Sequence, residues 1–155
     1  MKINRLLLPD GKDVIFDEDI DFSSYPGDKY HIRKINECHV HLVAKQYDDL
    51  LILTFDIKGL VTSSCAYTLE DILYPINIHE TIELSGDEDD EFIFDSDIID
   101  LDNVILTLIV SSVPMKLVKE GAKLPSSGDG YHFLSEEEAK SEKKSSPFDV
   151  LDDIE

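Results

Sequence analysis

The sequence predicts an α+β fold, in which a mainly antiparallel sheet or partial barrel is accompanied by one buried helix and a charged C-terminal helix. Two long runs of alternating apolar and polar residues, joined by a polar turn, indicate a central β-hairpin between residues 37 and 57. A third alternating run covers residues 72–84, and apolar residues at helical spacing follow residue 100. With 155 residues, the chain is long enough to bury one core.

The apolar side chains of the hairpin alternate along both strands and therefore share one face. They are Cys38, Val40, Leu42 and Ala44, followed by Leu51, Leu53, Phe55 and Ile57. With Gln46 opposite Asp49, every cross-strand pair on this face is apolar, and this arrangement is the predicted register. The pairs are then Ala44 with Leu51, Leu42 with Leu53, Val40 with Phe55, and Cys38 with Ile57. Cys38 is accordingly expected to be a small core residue.

Shorter strands are expected on both sides of the hairpin. Residues 2–8 are predicted to form a strand that turns at residues 9–12 and returns at residues 14–16. In the third alternating run, Pro75 cannot donate to a ladder, so this strand lies at a sheet edge or begins just after Pro75. Residues 91–94 and 115–118 are further short strands, separated from the others by loops such as the acidic segment at 86–91.

The segment at residues 98–112 has two interpretations. Its apolar residues lie at helical spacing, and Asp100 is a good N-cap, which favours a helix. Its many β-branched residues are typical of a strand, which keeps that alternative open. Residues 1–118 form the predicted domain. Residues 119–155 are predicted to contain a loop, a charged helix that begins at the capping box of residues 135–138, and an apolar tail at 147–151 that docks on the domain or on a partner.

The net charge of −20, from 34 acidic and 14 basic residues, is the strongest signal in the composition. Such a charge repels a nucleic-acid backbone and attracts basic partners. No apolar run is long enough for a membrane span, and the three leucines before Pro9 are too few for a signal peptide. The sequence therefore predicts a cytoplasmic monomer that does not associate with a membrane.

Catalytic and metal-binding patterns are weak. Asp17, Asp19 and Asp21 begin a calcium-loop pattern, but Phe22 occupies the position that requires glycine. His39 and His41 lie two residues apart on the polar face of the hairpin, where they could form a metal pair without an evident third ligand. No serine or cysteine stands in a recognisable nucleophile pattern. The sequence therefore predicts neither an enzyme nor a bound cofactor.

Three segments carry a family resemblance. Residues 58–70 contain Gly59 and Cys65 in an arrangement similar to a strand-ending Gly followed by Cys-x-x-Cys-Leu. Residues 99–114 resemble an Ile-Asp-Leu segment that closes in an apolar run and proline, and residues 146–151 resemble a C-terminal motif with proline and an aliphatic pair. The chain thus resembles the YceD-like family of bacterial and plastid proteins, which is associated with accumulation of large-subunit ribosomal RNA.

The resemblance implies a non-enzymatic factor in large ribosomal subunit biogenesis. Together with the acidic charge, it implies a basic ribosomal protein or ribosome assembly factor as the partner. The positions that match the family motifs are expected to contribute to binding: Lys58, Gly59, Cys65, Leu69, Asp100, Pro147 and Phe148. Many relatives carry a second cysteine where Thr68 stands, and others in the segment matching residues 119–130. This chain has neither, so a zinc-based role is not implied.

Two alternative functions remain open from the residues alone. A direct RNA-binding module would use basic residues in or near the hairpin, namely Lys29, Arg33, Lys34, Lys45 and Lys58. The acidic charge makes such binding unfavourable. A small metalloprotein would use His39 and His41.

Overall fold

The computed structural model describes residues 1–24, 31–85, 97–125, 128–130, 132–134 and 138–139. Its main body is a four-stranded antiparallel sheet with the strand order β2-β3-β4-β5. These strands are β2 (Asp13–Asp19), β3 (Ile32–Tyr47), β4 (Leu50–Ser64) and β5 (Asp71–Ser85). A second, two-stranded sheet pairs β1 (Lys2–Asn4) with β6 (Ile98–Asp100). A short 3-10 helix covers Arg5–Leu7, and helix α1 covers Asp102–Ser112.

The predicted α+β class is wrong, because strands dominate the described residues and α1 is the one α-helix with defined bounds among them. The sheet is open and is not a partial barrel. Since consecutive strands pair with each other, β2 and β5 lie at opposite edges of the sheet that the described residues form. Of the charged helix expected to begin at residues 135–138, only Glu138 and Ala139 lie within the described residues. The predicted strand at 91–94, the acidic loop at 86–91 and the tail at 147–151 also fall outside them.

The core lies between one face of the four-stranded sheet, here called the inner face, and helix α1. The predicted apolar face of the hairpin is buried as expected, and Leu42, Leu53 and Phe55 have no exposed surface. Ile105 and Ile109 of α1 are equally buried and belong to the same apolar cluster. Cys38 is also part of this core, which confirms its predicted role. Burial of one such large side chain contributes about 1.5–3 kcal/mol.

The predicted register of the hairpin is wrong by two residues. Gln46 lies opposite Leu51, and the strands are joined by a two-residue turn at Asp48 and Asp49. Asp48 adopts a φ of 45°, a left-handed conformation that aspartate tolerates better than most residues. Because side chains alternate with a period of two, a displacement of two residues leaves every side chain on its predicted face. The alternation of apolar residues therefore predicts which face each side chain lies on, but not which residues of β3 and β4 lie opposite each other.

The short strands pair differently from the sequence prediction. β2 pairs with β3, where Phe16 lies opposite Leu42, and does not return against the N-terminal strand. β1 pairs instead with β6, so that Ile3 lies opposite Ile99. Residues 115–118 do not form a strand, since only Leu117 makes an isolated bridge, to Cys65. Of the two alternatives inferred from Pro75, the edge position is confirmed, because β5 begins before Pro75 and is the last strand of its sheet in the described part of the chain.

Residues 102–112 form a helix, which decides between the two interpretations of this segment. The helix is favoured because residues at positions i, i+4 and i+8, beginning at Leu101, all reach the core. The N-cap is Leu101, so the predicted cap at Asp100 is wrong by one residue. Asp100 nevertheless accepts a hydrogen bond from the backbone N–H of Asp102 at 3.1 Å. This bond lowers the pKa of the Asp100 carboxyl.

Candidate functional site

The exposed face of the four-stranded sheet, opposite the inner face, is here called the outer face. One residue from each strand forms a row across it: Asp17, His41, Asp56 and His79 are direct neighbours in the three strand registers. The Nδ1 atom of His41 lies 2.8 Å from Asp17 Oδ1, and that of His79 lies 2.6 Å from Asp56 Oδ1. This carboxylate–histidine row therefore consists of two hydrogen-bonded pairs.

A second row lies beside the first and contains Asp19, His39, Lys58 and Asn77. His39 Nδ1 lies 2.8 Å from Asp19 Oδ1, while its Nε2 lies 3.7 Å from Asp17 Oδ1. His39 and His41 thus form hydrogen bonds to different carboxylates, Asp19 and Asp17, and Asp17 Oδ1 also lies near His39 Nε2. The described residues contain no group of three or more His, Cys, Asp or Glu arranged to hold a metal ion.

Two of the basic side chains proposed for RNA binding, Arg33 and Lys45, are each paired with a carboxylate and lie far apart. Arg33 Nη1 lies 2.5 Å from Asp71 Oδ1, and Lys45 Nζ lies 3.3 Å from Asp13 Oδ1. Arg33 and Lys45 are twelve positions apart on β3, a distance of roughly 40 Å along an extended strand. Lys29 falls outside the described residues. Arg33 and Lys45 therefore do not belong to one compact patch that could follow a phosphate backbone.

A tight loop at residues 65–70, here called the Cys65 loop, connects β4 to β5. The N–H of Cys65 donates to the carbonyl of Glu70 at 2.8 Å, and the N–H of Leu69 donates to the carbonyl of Cys65 at 2.9 Å. Leu69 has a φ of 60°, and 67% of its side chain is exposed. A leucine in the left-handed region is strained, and such strain is often found at functional sites.

The thiol of Cys65 lies beneath this loop and is buried. The backbone N–H of Lys119 donates to Cys65 Sγ at 3.4 Å. This contact, with weaker ones from Thr68, lowers the pKa of Cys65 to about 7 against the opposing effect of burial. Lys119 also places its Nζ 3.1 Å from Glu70 Oε2. The chain after α1 is therefore joined to the Cys65 loop by a backbone contact and by an ion pair.

The structure brings only some of the sequence-predicted site residues together. Cys65 and Leu69 share one loop, whereas Lys58 and Gly59 lie within β4, about 20 Å away along an extended strand. Asp100 is the last residue of β6, two residues before α1, with Lys2 Nζ 3.6 Å from its Oδ2. The remaining two predicted positions, Pro147 and Phe148, fall outside the described residues.

Gly59 has a clear structural role. It lies opposite Cys38, next to an irregularity in the β3–β4 register between Ile35 and Glu37. A Cβ atom at Gly59 would overlap the carbonyl oxygen of Glu37 and would lie 3.3 Å from the Cα of Cys38. Glycine is therefore required because β3 passes close to β4 at this point.

The sequence prediction missed the carboxylate–histidine row, although its signal was present. Acidic, histidine, lysine and asparagine residues recur at a spacing of two on each strand, as in the pair Asp17 and Asp19. This spacing places them on one face but does not show which strands are adjacent. The row depends on the pairing of β2 with β3, which the sequence prediction did not contain.

Residues 53–155 match the model of a protein family described as large ribosomal RNA subunit accumulation protein YceD. The matched segment is about two thirds of the chain. The chain belongs to the YceD family. The predicted resemblance is thereby confirmed, and the family name implies a role in large ribosomal subunit accumulation. Comparison with curated proteins and with solved structures gives no match.

The part of the chain that matches the YceD family begins inside β4 and continues through β5, β6 and α1. It contains the Cys65 loop and all seven sequence-predicted site positions. The outer face combines both parts, since Asp56 and His79 lie within the matched segment while Asp17 and His41 precede it. The described residues of this YceD family member include no helix of the length and apolar character needed to cross a membrane.

Proposed function

We propose that this YceD family member is a non-enzymatic, cytoplasmic factor in large ribosomal subunit biogenesis that acts as a monomer and binds a basic ribosomal protein or assembly factor. Family membership supports the pathway. The observation that supports the mode of action is the alignment of carboxylates across the outer face, on paired strands whose other face packs on the core.

The charge of the outer face suits a basic partner. The four cross-strand rows that contain the β2 residues Asp13, Ile15, Asp17 and Asp19 include five carboxylates and two lysines. The histidines of these rows carry no charge when neutral, so the face is then negative. The face continues the sign of the whole chain, whose net charge is −20. A negative surface of this kind steers a basic protein towards it, while buried contacts supply most of the affinity.

The same geometry opposes the alternative functions. An RNA-binding module would need an unpaired basic surface, whereas Arg33 and Lys45 each have a carboxylate neighbour. A metalloprotein that uses His39 and His41 would need both rings to face one ion, whereas their Nδ1 atoms contact different carboxylates. Binding of a basic protein requires neither an unpaired basic surface nor two converging histidines, and the negative outer face is compatible with it.

A pull-down tests the proposal. The purified chain is incubated with large-subunit ribosomal proteins and assembly factors at low and at moderate salt, and the bound proteins are identified by mass spectrometry. The variant D17N/D56N removes two charges from the outer face while keeping side-chain size and an acceptor oxygen at each position. The control E120Q/D129N removes two exposed charges that lie outside the sheet.

The expected result is enrichment of a basic ribosomal protein or assembly factor with the wild type and the control, and its loss with D17N/D56N. The difference between the wild type and D17N/D56N is expected to be larger at low salt, because salt screens the attraction between exposed charges. If neither salt condition enriches such a protein with the wild type, the proposed function is wrong. If the control loses the partner as strongly as D17N/D56N, total charge and not the outer face is responsible.

A further inference from the structure

β5 combines an unusually long strand with a free sheet edge. It has 15 residues and, within the described part of the chain, is paired on one side only, with β4. Typical strands have about 5–6 residues. The unpaired N–H and C=O groups along a long edge strand can bind another strand.

The ladder shows which backbone groups face the free edge. The Cys65 N–H donates to the Glu70 carbonyl at 2.8 Å, and this bonded pair continues the β4–β5 register. Bonded and non-bonded pairs alternate in an antiparallel ladder, so the even-numbered residues of β5 bond to β4 and the odd-numbered residues face outward. Pro75 is odd-numbered, which is consistent because proline has no N–H to donate to β4. Between Pro75 and Ser85, the last residue of β5, the outward N–H groups belong to Asn77, His79, Thr81 and Glu83.

The charges on β5 indicate which strand could pair with this edge. The strand contains Asp71, Glu80 and Glu83 but no lysine or arginine. Pairing with β5 of a second copy would place acidic strands side by side, and like charges in adjacent strands are destabilising. A strand that carries lysine or arginine would instead meet opposite charges. It would also extend the sheet beside His79, the β5 member of the carboxylate–histidine row.

We propose that the free edge of β5 between Asn77 and Glu83 binds an extended basic segment of a protein partner as a fifth strand of the sheet. This inference rests on the proposed function, because it specifies how the basic partner is held. Backbone hydrogen bonds to the outward groups provide affinity, and the acidic side chains select a basic segment. Pro75 limits the bound segment at one end because it lacks a donor.

Hydrogen exchange measured by NMR tests the geometry with the wild-type chain. The probe is a synthetic peptide of about nine residues that alternates lysine and valine. Bound peptide is expected to slow exchange at Asn77, His79, Thr81 and Glu83 by about tenfold or more. The amides of the intervening residues, such as Ile78, already bond to β4 and are expected to change little. Uniform protection or no protection along β5 would overturn the proposal.

Backbone-methylated peptides separate strand addition from charge attraction. Alternate amides of a strand point to opposite edges, and only one edge of the added strand bonds to the protein. Two peptides are therefore compared, one methylated at the odd-numbered amides and the other at the even-numbered amides. Methylation of the amides that face β5 is expected to weaken binding by about tenfold or more, and methylation of the other set is expected to leave the affinity nearly unchanged. Fluorescence anisotropy of labelled peptide gives both affinities. If both methylated peptides bind as well as the unmethylated one, strand addition is wrong, although binding of a basic partner elsewhere on the chain still stands.

A charge exchange provides a further control that does not depend on the peptide backbone. The variant E83K is expected to weaken binding of the lysine peptide and to strengthen binding of a matching glutamate peptide. Unchanged preference for the lysine peptide would contradict binding at this edge. Glu83 is exposed, so the substitution is compatible with the fold, and its circular dichroism spectrum verifies this. The pull-down described above decides the proposed function independently of these results.

Discussion

The substitution Gly59→Ala separates a structural from a binding role at a position that matches the family motif. The atoms that a Cβ at Gly59 would meet are the carbonyl group of Glu37 and the Cα of Cys38. All of them belong to the backbone of β3, so rotation of a side chain cannot relieve the overlap. β3 must move away from β4 at its register irregularity, and the cross-strand packing beside Cys38 is then disturbed.

Overpacking of this kind costs about 1–3 kcal/mol, and displacement of backbone favours the upper end of that range. For a chain of this length, each kcal/mol lowers Tm by about 2–4 °C. G59A is therefore expected to melt roughly 5–12 °C below the wild type in a thermal scan followed by circular dichroism. The control K58A changes the adjacent, exposed residue and is expected to alter the free energy of unfolding by less than about 0.5 kcal/mol.

The opposite result would refute this reasoning. If G59A melts with the wild type but no longer enriches a partner in the pull-down, Gly59 contributes directly to binding and the close approach of β3 is not limiting. If G59A and K58A are destabilised equally, any substitution in this part of β4 lowers stability, and the overlap with β3 at Gly59 is not the cause. Urea unfolding with an unchanged m-value would verify that only stability has changed.

Three further predictions concern the core and the Cys65 loop. Ile109→Ala removes a fully buried side chain and is expected to lower the free energy of unfolding by about 2–5 kcal/mol in urea unfolding. The control Ile15→Ala, at a side chain that is 60% exposed, is expected to lower it much less. Equal decreases would contradict the assignment of the core. The lowered pKa of Cys65, about 7 against an ordinary 9, means that the unfolded chain binds more protons between these values, so stability is expected to rise from pH 7 to 9. Burial raises the pKa of Cys38 to about 11, so stability is expected to fall with increasing pH above pH 9. In Cys65→Ser, the increase in stability between pH 7 and 9 should disappear, while the decrease above pH 9 should remain. If the increase persists in Cys65→Ser, Cys65 is not its cause. Leu69→Gly removes the strain of a left-handed leucine whose side chain is exposed. The free energy of unfolding is expected to increase by up to about 1 kcal/mol after the entropy of glycine is included, so Tm should stay unchanged or rise. A clear fall in Tm would show that the Leu69 side chain stabilises the loop.

The sequence by itself determined which face each long strand presents to the core. Alternation is a local property, because successive side chains of a strand point to opposite sides wherever the strand is placed. The buried sets around Leu42 and Phe55 follow directly from it, as does the edge position of Pro75 from its missing N–H. The spacing of Ile105 and Ile109 likewise predicted the buried side of α1.

Only the tertiary structure decided which strands are neighbours and in which register. A displacement of two residues keeps every face intact, so the turn at Asp48 and not the apolar pattern set the pairing of β3 with β4. β2 could satisfy its alternation against any strand, and the core placed it beside β3. Strand order is a long-range property, and for this reason the row from Asp17 to His79 is visible in the folded chain while its members lie scattered along the sequence.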